Sequence, residues 1–316
     1  RVKKEDGNTT LGYMLTYTDD PILNRTAMVN AFDYDNIVNE KLRLYSILLH
    51  AEAEDKSSIG VKGGLRFRPT KDDNHSIGFH YYGDDLNIND MGYLQKNDWI
   101  ALGGRSSFDR FFDENSKFQD IEYSVRYGHN ADTNGNSSPT YINPKIELTL
   151  KNTSVFNFWT TYESSGKNTT ITRKFIDSPF IKRPAKYNYG MAFNSKNYSN
   201  SAFGIKANFE RGSKNNSWNS DGYKKTWMEA AYYFFPLDFL TMKMGFSLRD
   251  QQEWLKWIDT NHLAAYDANE KFLTFDLNYF EGNKQELRLK AQFVALKANN
   301  PTSLESNNTG YLTASD

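Results

Sequence analysis

The sequence predicts an all-β chain of antiparallel strands, and it favours a transmembrane β-barrel of roughly 14–16 strands. Three observations lead to this prediction. Apolar and polar residues alternate over long stretches, turn-forming segments separate these stretches, and the polar composition is rich in aromatic residues. Such alternation places apolar side chains on one face of each strand and polar side chains on the other.

The clearest alternation begins at Leu240 and runs for about ten residues, the length that crosses a bilayer in a tilted strand. The positions predicted to face lipid, or to form an aromatic girdle at its boundary, are Leu240, Met242, Met244, Phe246, Phe275, Tyr279, Trp254 and Trp257. The intervening positions are polar. The charges predicted to face the lumen are Arg66, Arg68, Lys243, Arg249, Arg288 and Lys290.

Segments rich in Gly, Asn, Asp and Ser separate the alternating stretches, and these residue types favour turns. They include residues 69–74, 130–138, 164–168, 214–222 and 281–283. Some are short and others long, which is typical of an outer-membrane barrel with turns at one rim and loops at the other. We therefore expect one barrel domain over residues 1–300 and a polar loop or tail over residues 301–316.

The composition restricts the possible classes of function. Acidic and basic residues nearly balance, at a net charge of −1, so no long-range field would attract nucleic acid. The chain has no cysteine, which excludes thiolate metal sites, cysteine catalysis and disulfides. The mean hydropathy of −0.73 is low for a membrane protein, but in a barrel only alternate residues face lipid. Aromatic residues reach 15%, which suits an aromatic girdle or a sugar-binding surface.

Alternation alone does not distinguish a barrel from a large soluble β architecture, because a β-sandwich also has one polar face. A repeat architecture would show a period of about 40–50 residues with a signature in each repeat, and none is visible. A soluble β-rich fold is therefore the alternative to the barrel.

Three segments are more specific than their periodicity, namely residues 17–35, 81–99 and 279–298. Together they resemble a bacterial outer-membrane β-barrel family of undefined function, whose members carry an N-terminal module similar to carbohydrate-binding family 9. The resemblance implies the outer membrane of a Gram-negative bacterium and no catalytic residues. It also implies that the module, which this chain lacks, and some strands lie outside the matching region. We therefore expect this chain to be part of a larger barrel.

Residues from Asp85 onward begin like a calcium-binding loop, because Asp85, Asn87 and Asn89 place oxygen ligands at alternate positions. Such a loop needs Gly at its sixth position and Glu at its twelfth, where this chain has Asp90 and Lys96. We therefore reject the metal site and expect an ordinary loop. The sequence predicts no cofactor.

Trp254 and Trp257 have two possible roles. Exposed indoles could form a platform for sugar rings, but a girdle at the membrane boundary is the favoured interpretation. The predicted lumen charges are also ambiguous. They could line a channel and set its ion preference, or they could form salt bridges that fill the interior.

The leading functional hypothesis is an outer-membrane barrel that serves as a pore, a transport gate or a structural element, for small solutes or glycans. One alternative is a soluble glycan-binding protein. Another is a passive barrel that acts as a scaffold for a surface-exposed partner. The expected partners are outer-membrane lipid and, beyond it, glycans or another outer-membrane or surface protein. Enzymatic activity and nucleic-acid binding are not expected.

Overall fold

The computed structural model describes residues 1–21, 25–53, 56–88, 97–168, 171, 180–198, 200–213, 222–282 and 285–315. In these ranges the chain forms 19 β-strands and no helix. Accordingly, none of the described residues belongs to a helix long and apolar enough to cross a membrane.

Seventeen strands belong to one sheet, and the remaining two pair as a separate hairpin. All the strand pairs with a defined register are antiparallel, so the predicted all-β antiparallel fold is confirmed. The sheet has 17 strands rather than the roughly 14–16 expected from spans of membrane length. Two of the 17 are too short to be detected by alternation, namely β1 (Val2–Asp6) and β19 (Leu312–Ala314).

The chain divides into two compact units, which we describe separately. The first unit comprises residues 1–108 and 124–142. It contains β1, β2 (Thr9–Asp20), β3 (Arg25–Asn39), β4 (Leu42–Ala53), β5 (Lys56–Phe67), β6 (Asp73–Tyr82) and parts of β7 (Trp99–Phe111) and β8 (Phe118–Ala131).

The second unit comprises residues 109–123 and 143–316. It contains most of β9 (Tyr141–Leu150), then β10 (Val155–Glu163), the hairpin β11 (Gly166–Asn168) and β12 (Ile181–Arg183), β13 (Lys186–Asn194), β14 (Ser201–Gly212), β15 (Lys224–Leu237), β16 (Leu240–Asp259), β17 (His262–Glu281), β18 (Gln285–Ser306) and β19.

In each unit, neighbouring strands pair in a register that aligns apolar residues into transverse rows on one face. One row of the first unit consists of Tyr13, Phe32, Leu48, Val61, Tyr81 and Ile100. One row of the second unit consists of Phe156, Phe193, Ile205, Ala230, Phe246, Leu273 and Phe293. We call this side the apolar face and the opposite side the polar face.

The apolar rows of the second unit form a belt of limited height. On β16 the belt runs from Leu240 to Leu248, and Asp250 follows on the same face. On β17 the belt ends similarly at Leu273, beyond which Lys271 occupies the same face. A segment of about nine residues at roughly 3.3 Å per residue matches the span of a tilted strand across a bilayer. The belt therefore has the height of a membrane core.

Connection lengths differ between the two ends of the strands within each unit. In the second unit the connections at one end are short, namely 195–200, 238–239 and 282–284, whereas the other end includes 164–185 and 213–223. In the first unit, short connections at 40–41 and 68–72 contrast with 83–98 at the opposite end. The longest connections of each unit therefore share one end, but the two-residue connections 54–55 and 260–261 lie at those ends as well.

β16, β17 and β18 continue beyond the belt, and this extension has a small core of its own. Leu263, Leu304 and Ile181 are almost completely buried, and Ile181 comes from the β11–β12 hairpin. β18 therefore runs to Ser306, six residues past the expected domain boundary at residue 300, because β17 provides a pairing partner as far as His262. The segment expected to be a polar tail contributes to β18 and β19.

Candidate functional site

The polar face of the first unit carries a cluster of charges around a cavity of about 620 Å³. Arg43 on β4 lies directly opposite Arg66 on β5. The Nε atom of Arg43 donates a hydrogen bond to Asp35 Oδ1 over 2.8 Å, and its Nη2 atom also contacts that carboxylate. Arg43, Arg66, Asp35 and Tyr45 all line the cavity. The cluster is therefore a charged, open region of the polar face.

Tyr45 lies flat on the polar face because the position opposite it is Gly64. A Cβ atom added to Gly64 would lie 2.7 Å from the Tyr45 hydroxyl, so the ring occupies the space that another side chain would fill. Gly78 is the next residue in this row, on β6. The two glycines therefore allow the tyrosine to lie close to the backbone, beside the two arginines.

Residues 83–88 of the connection that follows β6 pack onto the polar face of the first unit. Leu86 is only 1% exposed, and it forms a hydrophobic cluster with Val29 of β3 and Ala51 of β4. A Cβ atom at Gly60 would lie 2.9 Å from the Leu86 side chain. Small residues at these positions therefore leave room for the connection to fold over the sheet.

Polar contacts fix both ends of this connection. The carboxylate of Asp98, which is 5% exposed, accepts hydrogen bonds from the backbone amide and the hydroxyl of Thr133, at 2.8 and 2.6 Å. At the other end, Lys56 forms an ion pair with Asp85 over 2.6 Å. The connection is therefore held from two sides.

The residues considered for a calcium loop belong to this connection. The side chain of Asp85 pairs with Lys56, and Asn87 lies next to the buried Leu86. Asn89 lies outside the described residues. Within the described ranges, no group of three or more acidic or histidine side chains is arranged to hold a metal ion.

The polar face of the second unit carries a partly buried charge cluster. Lys186 lies between two carboxylates, at 3.1 Å from Glu163 and 3.0 Å from Glu210. Glu210 also accepts a hydrogen bond from the Tyr223 hydroxyl over 2.9 Å. Burial and the neighbouring Glu210 carboxylate raise the pKa of Tyr223, so its hydroxyl keeps its proton and remains a donor.

Two indole rings and several cations lie on the same face. Lys206 Nζ is 4.5 Å from the ring centre of Trp227 and 5.9 Å from that of Trp159, both within the range of cation–π attraction. Arg249 stacks on Trp227 at 5.0 Å and forms an ion pair with Glu270 over 3.0 Å. The polar face of this unit therefore combines flat apolar rings with charges of both signs.

The residues predicted to carry lumen charges lie as follows. Arg66, Lys243, Arg249, Arg288 and Lys290 occupy the polar face, while Arg68 lies just beyond β5, where its backbone amide bonds to the carbonyl of Lys41. Lys290 is directly opposite Asp276, and Lys243 is opposite the same aspartate from the other side. Arg288 forms an ion pair with Glu286 on its own strand.

Six of the eight residues predicted to face lipid share the apolar face within the belt. They are Leu240, Met242, Met244, Phe246, Phe275 and Tyr279. Trp254 and Trp257 both lie beyond Asp250, outside the belt. A β-bulge separates Gln251, which pairs with Ala268, from Trp254, which pairs with Tyr266. The extra residue reverses the alternation, so Trp254 lies on the polar face, contrary to the prediction, while Trp257 lies opposite Leu263 on the other side.

Several residues important to the polar face were not singled out from the sequence. Leu86 and Asp98 flank a segment without periodicity, so no pattern indicated their burial. Trp159 lies at a position that alternation assigns to the polar face, and an aromatic residue at such a position is the signal that could have identified it. Lys186 and Glu210 become neighbours only through the register of β13 and β14.

Comparisons with known proteins give one family and several distant structural neighbours. No curated protein matches the chain. OmpT of Vibrio cholerae, an outer-membrane protein folded in vitro, has 11% identity and a TM-score of 0.44, over 99% of this chain and 94% of that chain. The form expressed in the outer membrane has 13% identity and a TM-score of 0.43, over 99% and 95%. OccK3 (OpdO) of Pseudomonas aeruginosa has 10% identity and a TM-score of 0.35, over 92% and 90%.

The family match covers nearly the whole sequence, from residue 24 to residue 316. The chain therefore belongs to the family described as a domain of unknown function, DUF5916.

Proposed function

We propose that the chain forms part of the wall of an outer-membrane β-barrel, with its apolar face against lipid and its polar face toward an aqueous interior. The observation that carries this proposal is the exposure of large hydrophobic side chains in the belt. Met244 and Ile205 are each 54% exposed and Leu289 is 52% exposed, whereas more than half of the buried apolar residues are alanines. A water-soluble protein rarely leaves so continuous an apolar surface uncovered.

Within that wall, we propose a pore or transport gate for small polar solutes. Arg43, Arg66, Lys186 and Glu210 lie on the polar face of strands of membrane-spanning length, and charged groups on that face require water or partners. The connection that carries Leu86 packs on the same face and would narrow an aqueous path. A purely structural barrel or a passive scaffold would need neither feature.

Sugars are among the solutes that the polar face of the second unit could take. Trp159 and Trp227 offer flat rings bordered by hydrogen-bonding groups, a combination that suits the apolar and hydroxylated sides of a sugar. This agrees with the proposed relationship to outer-membrane proteins that carry a sugar-binding module. A soluble glycan-binding protein is the competing proposal, and it requires the belt to be exposed to water.

Membrane insertion can be tested with one pair of substitutions on neighbouring strands. Met244→Lys places a cation in the middle of the belt, and we expect it to destabilise the inserted protein by roughly 2–4 kcal/mol. Ala231→Lys is the matched control, because Ala231 lies on the polar face, opposite Gly204 and Gly245, where a cation is not placed in the belt. Stability would be measured by urea unfolding from lipid vesicles.

Equal effects of the two substitutions would contradict the assignment of faces. Purification of the full chain as a detergent-free monomer would contradict membrane insertion altogether. Conductance of the full-length protein in a planar bilayer tests the pore, and an inserted protein without conductance would favour a structural barrel.

A further inference from the structure

The polar face of the first unit carries two arginines in an arrangement that is unfavourable without a partner of opposite charge. Arg43 and Arg66 occupy directly opposite positions on β4 and β5. Like charges at such positions destabilise a sheet. The same transverse line continues through Ser76 on β6 to Arg105 on β7, and no acidic residue interrupts it.

The negative charges nearby compensate only part of this positive charge. Asp35 pairs with Arg43, and Asp33 lies 4.0 Å from Arg1. Among the residues that the structure describes, no carboxylate lies within ion-pairing distance of Arg66. Lys62 adds another cation four residues earlier on β5, on the same face. The polar side of β4, β5 and β6 therefore has an excess of positive charge.

A cavity of about 620 Å³ lies at this position, with Arg43, Arg66 and Tyr45 in its lining. A guanidinium group presents several N–H donors in a planar fork that matches the oxygens of a carboxylate or a phosphate. The Tyr45 hydroxyl, positioned over Gly64, adds a neutral donor. A small oxyanion could therefore receive charge-assisted hydrogen bonds from β5 and a further hydrogen bond from β4.

We propose that this cavity binds a small oxyanion of the phosphate or carboxylate class, held mainly by Arg66 and assisted by Arg43 and Tyr45. The biological role of this site rests on the proposed pore function, because an anion site on the polar face of a pore would select anionic solutes for passage. The binding itself is independent of conductance and is measured separately. Residues from the second unit are not required.

The direct test is calorimetry, in which inorganic phosphate is titrated into the full-length protein in detergent and the heat of binding is measured. We expect saturable binding that Arg66→Gln weakens about tenfold or more, because it removes both the charge and the fork. Arg66→Lys should give an intermediate loss, because it keeps the charge but not the planar donors. Arg288→Gln is the matched control, since Arg288 lies on the polar face of the second unit in an exposed ion pair, and it should leave binding unchanged.

Two results would overturn the site. One is the absence of saturable phosphate binding to a correctly folded parent protein. The other is equal weakening by Arg66→Gln and Arg288→Gln, which would indicate a general charge effect. Circular dichroism and heat-modified gel mobility would confirm that each variant folds.

A second measurement separates this inference from the proposed function. The reversal potential of the parent protein under a salt gradient should show anion preference, and Arg66→Gln should reduce it. Complete absence of conductance would count against the proposed pore. The oxyanion site would then be judged by the phosphate titration alone. Conductance with a reversal potential that Arg66→Gln does not change would overturn the selectivity role.

Discussion

At the scale of single residues, several glycines of the sheet lie beneath an aromatic ring from the neighbouring strand. Tyr45 covers Gly64, Phe79 covers Gly63 and Trp159 covers Gly190. A glycine in a strand loses packing and chain entropy, and a ring lying across it recovers contact area. The rings of Tyr45 and Trp159 also lie close to the sheet, which keeps the space above its polar face open.

The pair of Trp159 and Gly190 allows a quantitative test. A Cβ atom at Gly190 would lie 2.1 Å from the indole, so Gly190→Ala should force the ring away and cost about 1–3 kcal/mol of stability. The double variant Gly190→Ala/Trp159→Ala removes the clash with the indole and keeps only the contact of the new Cβ atom with Asn208 Oδ1, at 2.6 Å. Gly190→Ala should therefore cost less in the Trp159→Ala background than it does in the parent protein. Urea unfolding in vesicles would give the free energies of unfolding of the parent, the two single variants and the double variant. If the effects of the two substitutions were strictly additive, the contact between Gly190 and Trp159 would be contradicted.

Lys186 shows that the stability of a partly buried charge also depends on the neighbouring side chains. Its side chain is 15% exposed, and its ammonium group lies between Glu163 and Glu210. Lys186→Met would leave two carboxylates close together with little solvent, and we expect a loss of roughly 2–4 kcal/mol. Arg288→Met is the control, because an exposed ion pair contributes little. Equal losses in urea unfolding would show that burial is not the determining factor.

At the scale of elements, residues 83–88 of the connection after β6 are held by contacts with the polar face. Leu86→Ala removes the side chain that packs on Val29 and Ala51, and a cavity of that size in a buried cluster costs about 2–4 kcal/mol locally. We expect faster amide hydrogen exchange in residues 83–88, with the strands unaffected. Asp84→Ala, at an exposed neighbouring position, should change exchange only at Asp85, whose backbone amide donates to Asp84 Oδ1 over 3.0 Å. Uniform acceleration across the sheet would instead indicate a global loss of stability.

An element could be predicted from the sequence where the residues that determine it are neighbours in the chain. Alternation identifies β16 and β17 and the faces of Met244 and Phe275, because the period of a strand is a property of neighbouring residues. The bulge between Gln251 and Trp254 is not visible in alternation, and Glu253 there adopts a positive φ of 55°. The expected face of Trp254 was reversed for that reason.

The candidate site was predictable only in part, for a related reason. The sequence indicated Arg66 as a polar-face charge, but alternation does not reveal which residue lies opposite it. The pairing with Arg43 follows from the register of β4 and β5, and the ordering of Leu86 follows from small residues on three separate strands. Such relations depend on long-range pairing.

At the scale of the whole molecule, exposure of apolar residues changes along one strand. On β17, Leu273 in the belt is 48% exposed, whereas Leu263 in the extension is 1% exposed and is covered by Ile181 and Leu304. Both leucines lie on the same side of β17. Protein covers Leu263 in the extension, whereas Leu273 in the belt stays half exposed, and a bilayer would provide an apolar environment for it.

The end of the belt on β17 can be mapped with single introduced cysteines, because the chain has no cysteine of its own. Phe275→Cys lies in the middle of the belt, and Lys271→Cys lies on the same face of β17, just beyond the belt. In lipid vesicles a charged maleimide should modify Lys271→Cys at least tenfold faster than Phe275→Cys, because an ionised reagent partitions poorly into hydrocarbon. In denaturant both variants should react at similar rates, which controls for intrinsic reactivity. Equal rates in vesicles would place Phe275 in water and remove the physical basis for a membrane-embedded belt.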